Sequence, residues 1–302
     1  MSTSSYKHGI IFSFSAYLIW GILPLYWALI TEVGAFEILA FRVLLSAILM
    51  IVIMLFTQQK HYLKTDVQQL LRHPKQLVAI IVAGYVITIN WGIFIWAVSN
   101  HHVLESSLGY YINPLVSILL ALIFLRERFN KMEWVAIILA AIGVLFMTFK
   151  VGTFPFISIC LALSFGVYGL LKKLVPIRAM SSITIECIVT APVSILFLFY
   201  LHHTGQMGFG WNMDSFWLLF SGVLTATPLI LFSASAQRIP LSLNGFIQYL
   251  GPTLMFILSI FVFKEHFDIG QLITFLFIWT GIIIFSVTQY VKYKRQRAMR
   301  IR

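Results

Sequence analysis

The chain has 302 residues, 60% of them hydrophobic and 10% charged, against about 25% charged in a typical soluble domain. Its formal charge of +11 sits in short loops and the C-terminal tail, not in a patch with interleaved aromatics. This argues against a nucleic-acid partner and for membrane topology. Cys160 and Cys187 fall inside apolar runs and have neither metal-ligand spacing nor the pattern of a disulfide framework.

A membrane-spanning helix needs about 20 mostly apolar residues, and ten such segments are predicted. The first, 8–30, contains Trp20 and is too long and too aromatic for a cleaved signal core, so it reads as a retained helix. The second, 35–56, opens with Glu37 and carries Arg42 about two turns in. An intramembrane charge is expensive and usually faces a partner or a cavity. Arg42 is either ion-paired to Glu37 or Glu105, or it anchors an anionic substrate group.

A polar helical loop at 57–76 leads to segment 77–98, where Asn90 and Trp91 lie too deep to be interfacial anchors. Segment 103–124 begins at Glu105, which caps the helix or serves as a ligand, and continues through Gly109, Tyr110, Tyr111, Asn113 and Pro114. Segments 132–149 and 154–173 follow, then 181–201 with Glu186. Glu186 has no basic neighbour in its own run, so it reads as a titrating proton carrier or as a hydrogen-bonded contact between helices. Segments 214–236, 241–263 and 268–291 complete the set. The ninth carries Asn244, Gln248, Tyr249, Gly251 and Pro252, and a basic tail follows the tenth.

The second five segments repeat the first five. Tyr111/Tyr249, Pro114/Pro252, Glu127/Glu265, Phe129/Phe267 and Gly143/Gly281 all recur at an interval of 138 residues. Because five is odd, the copies enter the membrane from opposite faces. The fold class is therefore all-α membrane protein, with ten transmembrane helices in two inverted five-helix repeats, 1–150 and 151–302. Such repeats are typical of secondary transporters and place the binding site between the halves near the midplane, where interrupted helices meet. Trp20, Arg42, Asn90, Trp91, Tyr110, Tyr111, Asn113, Asn244, Gln248 and Tyr249 are the expected substrate contacts. Glu37, Glu105 and Glu186 are the expected coupling or ion-pairing groups, and Gly109, Pro114, Gly251 and Pro252 the expected helix breaks. With the N-terminus in the cytoplasm, 18 of the 21 Lys and Arg lie on the inner side and two on the outer, so both termini are expected to be cytoplasmic.

The stretches Tyr17–Trp27, Glu37–Arg42, Asn90-Trp91, Ser107–Pro114, Leu125–Phe129, Thr225–Pro228 and Gln248–Thr253 together resemble the EamA family of drug/metabolite transporters, in its RarD-type branch. The resemblance covers nearly the whole chain. It implies ten helices in two inverted halves, residence in the bacterial inner membrane, and outward transport of small molecules. Branch members are linked by name to chloramphenicol sensitivity. The family often has His before the arginine, whereas Phe41 stands here, so no role of that His transfers.

No phosphate-binding loop, metalloprotease motif or nucleophile elbow is present. The chain is thus expected to be no enzyme, to need no cofactor or metal, and to draw its energy from a gradient or exchange. His101, His102, His202 and His203 read as solvated loop pairs. Segments 1, 3, 4, 6, 8 and 9 are expected to form the cavity, with 5 and 10 peripheral and available for a homodimer. Expected partners are a small-molecule substrate and membrane lipids. The alternatives are a membrane-embedded receptor-like binding protein or enzyme component without transport, and a channel.

Overall fold

The computed structural model describes residues 3–57, 59–100, 102–151, 155–262 and 269–301. Among these there is no strand. Among the described residues nine helical segments are long and apolar enough to cross a membrane, and Leu108–Phe124 is a shorter apolar stretch.

The first half holds α1 (Thr3–Trp27), α2 (Ala35–Phe56), the polar connector helix α3 (Gln59–Arg72), α4 (Pro74–Ser99), α5 (Val103–Phe124) and α6 (Lys131–Val151). The second holds α7 (Phe156–Leu174), α8 (Ala179–His203), α9 (Met213–Leu219), α10 (Ser221–Ala236), α11 (Leu241–Gln248), α12 (Leu250–Phe261) and α13 (Ile269–Ile301). Large apolar side chains are bare on the outside, among them Phe149, Leu196, Phe199 and Phe261. In water that would be a liability; in a bilayer it is the surface that lipid covers.

The expected matching interruptions are corrected. Pro114 stays inside a continuous α5, whereas the ninth segment breaks at Tyr249 into α11 and α12. Pro252 is the third residue of α12, where a backbone N–H has no intrahelical partner, so proline is tolerated there. The eighth segment is also divided, at Phe220.

α6 and α13 pack along each other at the repeated glycines. A Cβ on Gly143 would lie 2.9 Å from the Thr274 carbonyl oxygen, and one on Gly281 would lie 2.8 Å from that of Ala136. The repeat at this pair records a close helix crossing. α6 starts with a capping box: Asn130 Oδ1 accepts from Glu133 N at 2.9 Å, and Glu133 Oε2 accepts from Asn130 N at 2.7 Å.

Elsewhere the two halves interleave. α1 packs on α10 and α12, α2 on α8 and α10, and α7 lies against α4 and α5. The repeated Glu127 explains itself here. It accepts from Leu241 N at 2.8 Å and Ser242 N at 3.3 Å, and so caps α11 of the other half. Its counterpart Glu265 lies outside the described residues.

The connector α3 and the start of α9 each also tie down a loop of the other half. In α3, Asp66 Oδ1 accepts from Arg178 Nη1 at 2.8 Å, between α7 and α8. At the start of α9, Asp214 Oδ2 accepts from Thr31 N at 2.8 Å and Glu32 N at 2.6 Å, between α1 and α2.

Candidate functional site

A cavity of about 170 Å³ lies between the halves. The first half contributes Tyr17, Trp20, Leu23, Pro24 and Trp27 from α1, Arg42 from α2, Asn90, Trp91, Phe94 and Ile95 from α4, and Gly109, Tyr110 and Asn113 from α5. The second contributes Leu161 and Phe165 from α7, Gln248 from α11, and Gly251, Pro252 and Met255 from α12. The α1 residues lie in the second half of that helix, Arg42 in the first half of α2, and the α4 residues in the second half of theirs.

Seven of the ten expected substrate residues line this cavity and three do not. Trp20, Arg42, Asn90, Trp91, Tyr110, Asn113 and Gln248 line the cavity, as do Gly109, Gly251 and Pro252. Tyr111, Tyr249 and Asn244 do not. Tyr111 turns outward to pack its ring 5.4 Å from Phe275 of α13, and Tyr249 packs on Phe246. Asn244 is held by the Ser13 hydroxyl. The Pro114 carbonyl instead forms the seat for Gly245. The expected contribution of the eighth segment is replaced by that of the second, through Arg42.

Arg42 is not ion-paired to Glu37. Its guanidinium lies between the rings of Trp27 and Trp91, 4.6 Å from each centroid, and Nε donates to Thr225 Oγ1 at 3.0 Å. A charge at mid-helix costs about 2.5–3.5 kcal/mol on insertion scales. A desolvated cation–π contact returns up to about 2 kcal/mol, so two rings and one hydrogen bond offset most of that cost. Glu37 is buried at 3% exposure, not solvated. It accepts from Gly208 N at 2.9 Å and Phe209 N at 3.0 Å, and so holds the loop after α8 against α2. The side chain of Glu105 lies outside the described residues.

Asn90 spans the halves, donating to the Leu161 carbonyl at 2.9 Å and to Ser164 Oγ at 2.8 Å. The carboxamide oxygens of Asn113 and Gln248 are buried without a partner among the described residues. Unsatisfied amides beside a cavity mark a place where a ligand or water completes the bonding.

Glu186 is not the lone carboxylate its own segment suggested. Lys172 of α7, with no exposed side-chain surface, donates to Glu186 Oε1. Ser182 Oγ donates to the same oxygen at 2.9 Å, and the Tyr168 hydroxyl donates to Oε2 at 3.1 Å. Tyr168 stacks on Phe232, ring centroids 5.6 Å apart, and Phe232 meets Phe165 and Tyr17. Tyr17 and Phe165 also line the cavity. The ion pair therefore braces an aromatic floor beneath it.

No group of three or more metal-capable side chains occurs among the described residues. Reading the sequence missed Lys172, Thr225, Trp27 and the floor aromatics. Lys172 stands beside Lys173 at a helix end, which reads as a topology anchor.

A profile of the EamA-like transporter family matches residues 7–149 and 155–287. The chain is 42% identical to Protein RarD of Escherichia coli (strain K12), covering 94% of this chain and 96% of that protein. It is 37% identical to the uncharacterized transporter YojE of Bacillus subtilis (strain 168), covering 98% of each. A solved protein crystal structure superposes with a TM-score of 0.66 at 15% identity, covering 94% of this chain and 98% of that one, which speaks to fold alone.

Proposed function

The chain belongs to the EamA-like transporter family, and from that premise we propose that it is a secondary transporter moving a small metabolite or drug-like molecule outward across the bacterial inner membrane by alternating access. It is a multi-pass membrane transporter. The finer reading takes residues 1–150 and 151–302 as inverted five-helix repeats with both termini in the cytoplasm. The face carrying the α1–α2 loop is then the outer face.

One observation carries this reading: the cavity has walls from both halves, as rocking about a fixed site requires. Toward the outer face the halves are tied by Asp214 and Glu37. Toward the inner face they are tied by Asp66 and Arg178, and the aromatic floor braced by Lys172 and Glu186 closes the way. Opening one set while the other holds gives alternating access. For Glu186 a coupling role changes form, because a proton arriving there must release Lys172. No feature among the described residues favours a receptor-like protein or an enzyme.

The test is uptake and efflux of a metabolite library by proteoliposomes, with and without imposed gradients. Saturable flux of a subset of compounds, lost in Arg42→Ala, is expected. Flux no greater than in protein-free liposomes for every compound would oppose the proposal.

A further inference from the structure

The Arg42 guanidinium is held by two aromatic rings and one hydrogen bond at Nε. Its central carbon lies over the rings of Trp27 and Trp91, 4.6 Å from each centroid. Its Nε edge is held by Thr225 at 3.0 Å. Arg42 lines the cavity, and its Nη groups have no hydrogen-bond partner among the described residues. We propose that the substrate is a small monoanion with a planar apolar body of about one ring, and that Arg42 holds its anionic group edge-on. Calling this ligand a substrate rests on the transport reading; its chemistry does not.

The charge follows from what the site lacks. Glu37 is engaged by Gly208 and Phe209, and Glu186 by Lys172, so neither neutralises Arg42. Among the described residues no carboxylate lines the cavity. A cationic ligand would meet a like charge with no counter-ion among the described residues. A neutral ligand would leave the fork of N–H donors unmatched. A dianion would bring a second charge for which no described cation lines the cavity. The planar fork is matched by a carboxylate or sulfonate accepting two parallel bonds.

The body follows from the walls and the volume. The aromatic residues Trp20, Trp91, Phe94 and Phe165 line the cavity. At about 170 Å³ it is little larger than the roughly 150 Å³ apolar cavities that take up benzene. It is smaller than the roughly 300–1,000 Å³ of pockets for drug-sized ligands.

The experiment uses the full-length protein in detergent micelles, with the quenching or shift of tryptophan fluorescence as readout, since Trp20, Trp27 and Trp91 all border the site. Three probes share one ring: p-toluenesulfonate, its neutral isostere p-toluenesulfonamide, and benzyltrimethylammonium. The sulfonate is expected to bind at least about 10-fold more tightly than either of the others, the ratio that one charge-assisted hydrogen bond supports. That preference is expected to vanish in Arg42→Gln and to shrink in Arg42→Lys, which keeps the charge but not the fork. Equal binding of sulfonate and sulfonamide by the wild type, no sulfonate binding at millimolar concentration, or an undiminished preference in Arg42→Gln would each overturn the inference. Binding is read here without flux. A lost preference therefore leaves the transport reading standing, and absent flux in proteoliposomes leaves the charge class standing.

Discussion

Replacing Glu186 with glutamine removes the counter-charge of an ammonium that has no exposed surface. Lys172 keeps its contact with Ser182 but loses its carboxylate, and Tyr168 loses a charged acceptor. Removing one member of a buried ion pair costs about 3–5 kcal/mol, because the remaining charge is left without compensation. Scaled from soluble domains, that is a Tm drop on the order of 10 °C. Replacing both members, Lys172→Met with Glu186→Leu, removes the stranded charge and is expected to restore most of the loss. The assay is thermal unfolding in detergent, followed by tryptophan fluorescence, on wild type, both single variants and the double. An unchanged Tm in Glu186→Gln, or a double variant as unstable as the worse single, would refute the idea that the pair braces the aromatic floor.

Under an imposed pH gradient, Glu186→Gln is expected to lose gradient-driven flux while retaining exchange of labelled for unlabelled substrate. Intact gradient-driven flux in that variant would remove Glu186 from the coupling step. Arg42→Ala is expected to lower transport efficiency by about 10- to 100-fold, the range for deleting a hydrogen bond to a charged group, with unchanged flux as the contrary result. Gly143→Ala places a methyl 2.9 Å from the Thr274 carbonyl oxygen. It is expected to destabilise the α6–α13 pair by about 1–3 kcal/mol, measured as a fall in Tm.

The helical membrane spans were legible because they are long, mostly apolar runs, and the recurring Glu127, Gly143 and Gly281 proved to sit at a helix cap and a close helix crossing. Which face of a helix meets the cavity was not legible. In α5 only the short stripe Tyr110, Asn113 and Ser117 separates Tyr110 from Tyr111, and the 138-residue interval pointed to Tyr111 instead. The two point about 100° apart on a helix with 3.6 residues per turn, and one lines the cavity while the other packs on α13. The same rotation separates Lys172, buried against Glu186, from Lys173, which reaches the Ile239 carbonyl. The partner of Glu186 lies on another helix, so inspecting its own run could not reveal it. Arg42 was found by its cost. Its aromatic cage was not, because Trp27 and Trp91 are brought together from α1 and α4 only by tertiary packing.

Alternating access about the cavity is tested most directly by a single cysteine at Asn113, in a background lacking Cys160 and Cys187, labelled with a membrane-impermeant thiol reagent from each side of oriented vesicles. Labelling from both sides is predicted. Asp214→Ala, which frees Thr31 and Glu32, should shift the ratio toward the face of the α1–α2 loop, and Asp66→Ala, which frees Arg178, toward the opposite face. Labelling from one face alone, or a ratio that neither variant moves, would contradict the account.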